Sequence, residues 1–121
     1  GPLTLILNRN FNCTLSKSLN PHNSTISLRS PSNEIAMRLL HCFSGPITAP
    51  SANLSGHPSP NTAKEVMLTL NNRIDVVLDG GKCHGIASSL LDLTKSSPIL
   101  IRKGPITKSQ IEAVIKKAVN N

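Results

Sequence analysis

The sequence predicts an α/β fold built on one sheet of mixed strand direction with flanking helices. Three observations lead there. Six short runs with strand-like patterning interleave with three amphipathic, helix-period segments. Several of those runs follow one another with no helix between them, which suits antiparallel neighbours better than a purely parallel, doubly wound sheet. The apolar residues, 38% of the chain, are almost all aliphatic, so the core is one of Leu, Ile, Val and Ala.

The first run, Leu3-Thr4-Leu5-Ile6-Leu7, enters a strand almost at once with no Met ahead of it, which fits a chain cut from something longer. Asn and Ser crowd residues 8–24 without one acidic residue, the pattern of a surface loop. Residues 24–29 alternate polar and apolar in the strand period, and Pro31 stops them. A helix is expected next. Ser32 or Asn33 can cap it, Glu34 lies in the first turn where the dipole favours a carboxylate, and Ile35, Leu39, Leu40 and Phe43 share one face before Gly45 and Pro46 end it.

Ile47-Thr48-Ala49 reads as a short strand, and Thr62-Ala63-Lys64-Glu65 as a capping box for a helix that buries Ala63, Val66, Met67 and Leu70. Ile74-Asp75-Val76-Val77-Leu78 is the most hydrophobic strand candidate, and Asp79-Gly80-Gly81 can turn behind it with positive backbone angles. Residues 89–93 and 98–102 make two more strands. Thr107-Lys108-Ser109-Gln110 offers a last capping box, with Ile111, Val114, Ile115 and Ala118 on one stripe and Lys116 and Lys117 near the negative end of the dipole.

With 121 residues the chain is one small domain, which excludes a multidomain machine. No apolar run approaches the roughly 18 residues that span a bilayer and no signal segment opens the chain, so a cytoplasmic protein without membrane partners is expected. Cys13, Cys42 and Cys83 are odd in number and too widely spaced for a disulfide framework or a zinc knuckle; reduced thiols fit them. His41-Cys42 and Cys83-His84 lack zinc-ligand spacing, and His22 and His57 sit in polar loops. Thirteen Lys and Arg against six Asp and Glu leave a net charge of +7. That excess is a footprint compatible with RNA, yet Phe11 and Phe43 are the sole Phe, Tyr or Trp residues, so no aromatic platform stacks single-stranded bases.

Chemistry concentrates at strand ends. Thr48-Ala49-Pro50-Ser51-Ala52-Asn53-Leu54-Ser55-Gly56 sets the hydroxyls of Ser51 and Ser55 and the amide of Asn53 among small residues, able to hold phosphate or ribose oxygens, although the same residues also make ordinary loops. Gly85-Ile86-Ala87-Ser88-Ser89 puts two more hydroxyls at the mouth of a strand. Arg29 and Arg102 each end an apolar strand, where a guanidinium can grip phosphate or carboxylate while its stem packs on the sheet. A serine-hydrolase reading fails, since neither Ser51 nor Ser55 stands in a Gly-x-Ser-x-Gly elbow.

Together these segments resemble the YrdC/Sua5 family of threonylcarbamoyl-AMP synthases. Gly1-Pro2-Leu3-Thr4 resembles the family's Gly-Pro-Leu-Thr strand, and Ile26-Ser27-Leu28-Arg29-Ser30-Pro31 its Val-Ala-Val-Arg-x-Pro strand. The block from Pro46 to Gly56 is the most specific; Asp75 to Gly81, Gly85 to Asp92 and Ile99 to Ile106 follow in the family's order and spacing. The resemblance implies a twisted mixed sheet around a deep, basic-lined cavity, here as a single, incomplete YrdC-like domain over residues 1–121 whose N-terminal part is missing. It implies a reaction of ATP, with Mg²⁺ on the substrate, L-threonine and bicarbonate to threonylcarbamoyl-adenylate and pyrophosphate, for the threonylcarbamoyl modification of tRNA adenosine. Partners would be tRNA or structured, double-stranded RNA and other tRNA threonylcarbamoyl-transfer proteins.

By position, the resemblance assigns Arg29, Ser51, Asn53 and Arg102 to ATP and the adenylate, and Ser88 to threonine and the adenylate. No residue is assigned as a nucleophile or metal ligand, which suits phosphoryl chemistry run by positioning and charge neutralisation. The chain departs from the family pattern at Ala87, where the family has Glu, at Ser89 for Thr and at Lys103 for Pro, and it contains no Lys-x-Arg. The alternative reading is a truncated, non-catalytic fragment or RNA-binding remnant of that family.

Overall fold

A computed structural model describes residues 1–10, 12, 14–20, 24–83 and 85–121, apart from the side chain of Lys17. The expectations placed on Phe11, Cys13, His22 and His84 lie outside the described residues. The chain divides into two units, Gly1–Asn33 with Ile86–Asn121, and Glu34–Gly85.

In the first unit, β1 (Leu3–Asn8), β2 (Thr25–Leu28), β3 (Ser89–Asp92) and β4 (Ile99–Arg102) form one sheet in the order β2-β1-β3-β4. β1 is antiparallel to β2 and parallel to β3, and β3 is antiparallel to β4, so the sheet is mixed as the sequence predicts. The parallel register pairs Leu3 with Ser89 and Leu5 with Leu91. Leu3, Leu5, Leu91, Leu93 and Leu100 then pack with Ile106, Val119 and the residues Ile111 and Ile115 of α3 (Lys108–Ile115). Leu91, Leu100, Ile111 and Val119 are buried, each stabilising the fold by about 1.5–3 kcal/mol.

The capping box of α3 forms as predicted: Gln110 N–H donates to Thr107 Oγ1, and Gln110 Oε1 accepts from Thr107 N–H at 2.9 Å. The stripe does not extend as expected. Val114 is exposed, and the helix ends at Lys116, whose left-handed backbone (φ 53°) shifts the phase so that Val119 rather than Ala118 returns to the core. Asn120 then lies along β4, donating to the Pro98 carbonyl and accepting from Leu100 N–H, both at 2.8 Å.

The second unit holds α1 (Glu34–Phe43) and α2 (Ala63–Leu70). Left-handed Ser44 (φ 57°) follows the last helical residue of α1, ahead of Gly45 and Pro46. Thr62 caps α2 by accepting from Glu65 N–H at 3.2 Å, while the Glu65 carboxylate reaches past it to Asn61 N–H at 2.7 Å. Met67 is more exposed than the predicted buried face requires. The two strands expected here, 47–49 and 74–78, do not form. Pro46 and Pro50 bracket the first and remove its flanking donors. The second has no strand in this unit to pair with, and Val76 and Leu78 are left exposed. The turn behind it does form, with Gly81 at φ 84° donating to Asp79 Oδ1 at 2.9 Å.

Candidate functional site

Polar side chains gather on the sheet face opposite the core. Thr4 pairs with Leu90, one residue out of step with core-facing Leu3 and Leu5, and Ser88 lies two residues before Leu90 on the same face. Simple alternation would turn Arg102 toward the core beside Leu100. The ladder instead slips: Leu91 faces Leu100, but Leu90 faces Arg102, which leaves Ile101 unpaired. That one-residue bulge swings Arg102 onto the face of Thr4 and Ser88.

The three groups are in contact. Ser88 Oγ stands 2.7 Å from Thr4 Oγ1, Arg102 Nε donates to the Ser88 carbonyl at 2.9 Å, and Arg102 Nη2 donates to Ser88 Oγ at 3.2 Å. Ser88 is 4% exposed, whereas Arg102 is largely exposed. The guanidinium is therefore anchored along one edge, and its remaining Nη donors have no partner among the described residues. Neither of the ion pairs found there, Arg38 with Glu34 and Lys108 with Glu112, involves it. A cation held this way is prepared for a paired contact with phosphate or carboxylate.

The backbone beneath this cluster is held closely. A Cβ at Gly104 would lie 2.6 Å from the Ala87 carbonyl oxygen and 2.7 Å from the Ser88 carbonyl carbon, so that position has room for hydrogen alone. Ser89, fully buried, donates to the Ile106 carbonyl at 2.6 Å and accepts from Ile106 N–H at 3.0 Å, stapling the segment after β4 to β3. Further along β3, Asp92 accepts from the Thr94 hydroxyl at 2.7 Å and from its N–H at 2.8 Å; these bonds, helped by Lys95, hold the Asp92 carboxyl below its ordinary range.

Of the residues singled out from sequence, Ser88 and Arg102 are brought into hydrogen-bond contact. Arg29 is exposed just beyond β2 and makes no hydrogen bond among the described residues. Ser51 and Asn53 stand in one loop of the second unit. Ser51 is exposed there. Asn53 Nδ2 donates to the carbonyls of Leu54 and His57, each at 2.9 Å, while its buried Oδ1 has no partner among the described residues. Two cavities open within single units. One of about 350 Å³ lies among Leu7, Asn8, Arg9, Ile26 and Leu28, another of about 220 Å³ among Pro58, Pro60, Glu65 and Leu68, and neither includes an expected site residue; Arg9 is the basic residue of the first.

Thr4 and Gly104 were not singled out from sequence. Thr4 carried a readable signal, being the polar residue within the otherwise apolar run Leu3–Leu7. Gly104 carried a weaker one, since its closeness to β3 depends on a register that sequence does not display.

The chain as a whole is similar to several known proteins. The Sua5/YciO/YrdC family, described as "Telomere recombination", matches residues 1–104. Threonylcarbamoyl-AMP synthase of Pyrococcus abyssi is 38% identical over 116 residues, covering 95% of this chain and 34% of the relative. Threonylcarbamoyl-AMP synthase of Bacillus subtilis is 43% identical over 116 residues, covering 95% and 33%. The crystal structure of P. abyssi Sua5 complexed with L-threonine superposes with a TM-score of 0.88 at 36% identity, covering 99% of this chain and 35% of that one. The chain thus spans about a third of the length of these relatives.

Proposed function

The chain belongs to the Sua5/YciO/YrdC family, and from that premise we propose that it serves threonylcarbamoyl-AMP synthesis. In that reaction the threonine amine and bicarbonate condense to a carbamate with loss of water, and a carbamate oxygen displaces pyrophosphate from the α-phosphorus of ATP. Mg²⁺ arrives with the triphosphate. The described residues gather no cluster of three His, Cys, Asp or Glu side chains.

One observation supports the reading above the others: the bulge that turns Arg102 away from the core and onto buried Ser88. A guanidinium anchored beforehand offsets phosphate charge without reorganising during the reaction. Arg102 is assigned to the phosphates and Ser88, beside it, to the threonine and adenylate side, in keeping with the L-threonine bound by the P. abyssi relative. Arg29, Ser51 and Asn53 are assigned to the nucleotide. The product would enter tRNA modification in the cytoplasm. No helix among the described residues is long and apolar enough to cross a membrane.

The sequence contains no Lys-x-Arg, and positioned cations are what a triphosphate site requires. A polypeptide bearing that segment from a family relative, added in trans or fused, is therefore expected to create pyrophosphate release that depends on ATP and threonine. Ser51→Ala and Asn53→Ala should each lower the restored rate. Background release by a completed protein with an intact circular dichroism spectrum would support the alternative, a non-catalytic or RNA-binding member of the family.

A further inference from the structure

We propose that Thr4 is a positioning residue for Arg102, acting through the Ser88 hydroxyl. The proposal rests on the reading of Arg102 as a phosphate-facing group and adds a residue which that reading does not use. A serine hydroxyl has one hydrogen and two lone pairs. Arginine can only donate, so Nη2 occupies one lone pair of Ser88 Oγ. The bond to Thr4 Oγ1 at 2.7 Å, the shorter of the two at that oxygen, sets the direction of the other lone pair or of the hydrogen. Without it, Ser88 Oγ keeps a single contact, the 3.2 Å bond to Nη2, and its rotor is free to turn.

The two ends of the guanidinium are held differently. Nε is bonded to the Ser88 carbonyl, a backbone atom that Thr4 does not control, while Nη2 is bonded to the hydroxyl that Thr4 does control. Removal of the Thr4 hydroxyl should therefore leave the Nε contact in place and release rotation about the Nε–Cζ bond. The Nη donors would then present to an anion in an averaged orientation rather than a fixed one. Thr4 is well suited to this part: the parallel register pairs it with Leu90 of β3, and β1 is held against β2 from the next residue, Leu5, onward.

The test uses the whole chain and the arginine side-chain resonances in NMR spectra, with Arg102 assigned by their loss in Arg102→Lys. Thr4→Val keeps the branched shape and strand preference and removes the hydroxyl; Thr4→Ser restores it; Thr4→Ala is the fallback should the valine variant misfold. The exchange rate between the Arg102 Nη groups is expected to rise about fivefold or more in Thr4→Val, as loss of one hydrogen bond predicts, with the Nε–H resonance unmoved and Thr4→Ser close to wild type. In a Ser88→Ala background, Thr4→Val should add nothing further. A rate unchanged in Thr4→Val, or Nε–H and Nη signals disturbed together, overturns the proposal. ATP titrated into the same samples should perturb Arg102 more weakly in Thr4→Val than in Thr4→Ser. ATP contact indifferent to Arg102→Ala would overturn the nucleotide reading alone, with the rotation rates still deciding Thr4's part.

Discussion

Gly104→Ala should be among the most damaging single-methyl changes this chain can suffer. The added carbon would press most closely on the Ser89 backbone nitrogen and would sit 2.6 Å from the Ala87 carbonyl oxygen and 2.7 Å from the Ser88 carbonyl carbon, where ordinary contact begins at 3.4 Å, so one backbone must retreat by at least about 0.8 Å. All three neighbours are main chain, and the segment they belong to is not free to yield. Ser89 N–H is tied to the Pro2 carbonyl at 2.9 Å, and the Ser89 hydroxyl holds both polar groups of Ile106. The cost belongs at the upper end of overpacking, about 3 kcal/mol, which lowers Tm by roughly 15 °C for a unit of this size. Gly56→Ala is the matched control, because Gly56 has φ 83° and open space around its Cβ; it should cost about 1 kcal/mol from backbone conformation alone. Thermal unfolding of both variants, followed by circular dichroism, reads the contrast. A Gly104→Ala protein within 1 kcal/mol of wild type, or milder than Gly56→Ala, would refute the close approach of the two segments.

Ser89→Ala strips the partner from both polar groups of Ile106, and urea unfolding should show a loss of about 2–3 kcal/mol. Asp92 is held below its ordinary pKa by its bonds to Thr94, so its contribution to stability is in place above about pH 4 and is lost as the pH falls through the folded value. The stability gap between wild type and Asp92→Asn should be widest near neutral pH and should close in acid; a gap constant with pH would contradict the assignment. With a net charge of +7, the chain should bind a structured RNA weakly and without sequence preference. Its affinity should fall at least tenfold or so between low and high salt, and a salt-independent affinity would argue against an electrostatic surface.

Much of the first unit was legible because its strands are short, mainly apolar or alternating runs, and the last helix opens with both halves of a capping box. Residues 47–49 and 74–78 carry the same local pattern but no neighbouring strand, and pairing is a property of the partner as much as of the run. The Leu90 and Leu91 register slip was invisible for a related reason. Nothing in Ile99-Leu100-Ile101-Arg102 marks Ile101 as the unpaired residue, yet that slip decides which face Arg102 takes. Ser88 and Arg102 were identified from their places in recognisable motifs. That they touch, and that Thr4 completes the contact, depends on three strands meeting in one register.

Synthesis of a threonylcarbamoyl-adenylate is the reaction proposed for the anchored Arg102. Its most direct test is mass spectrometry of the products formed from ATP, L-threonine and isotope-labelled bicarbonate by the chain completed with a Lys-x-Arg-bearing segment. A labelled threonylcarbamoyl-adenylate is expected, its yield falling at least about tenfold in Arg102→Ala, as loss of a charge-assisted contact to phosphate requires. A folded, completed protein that forms no labelled adenylate, or forms it equally well without the Arg102 guanidinium, would contradict the account.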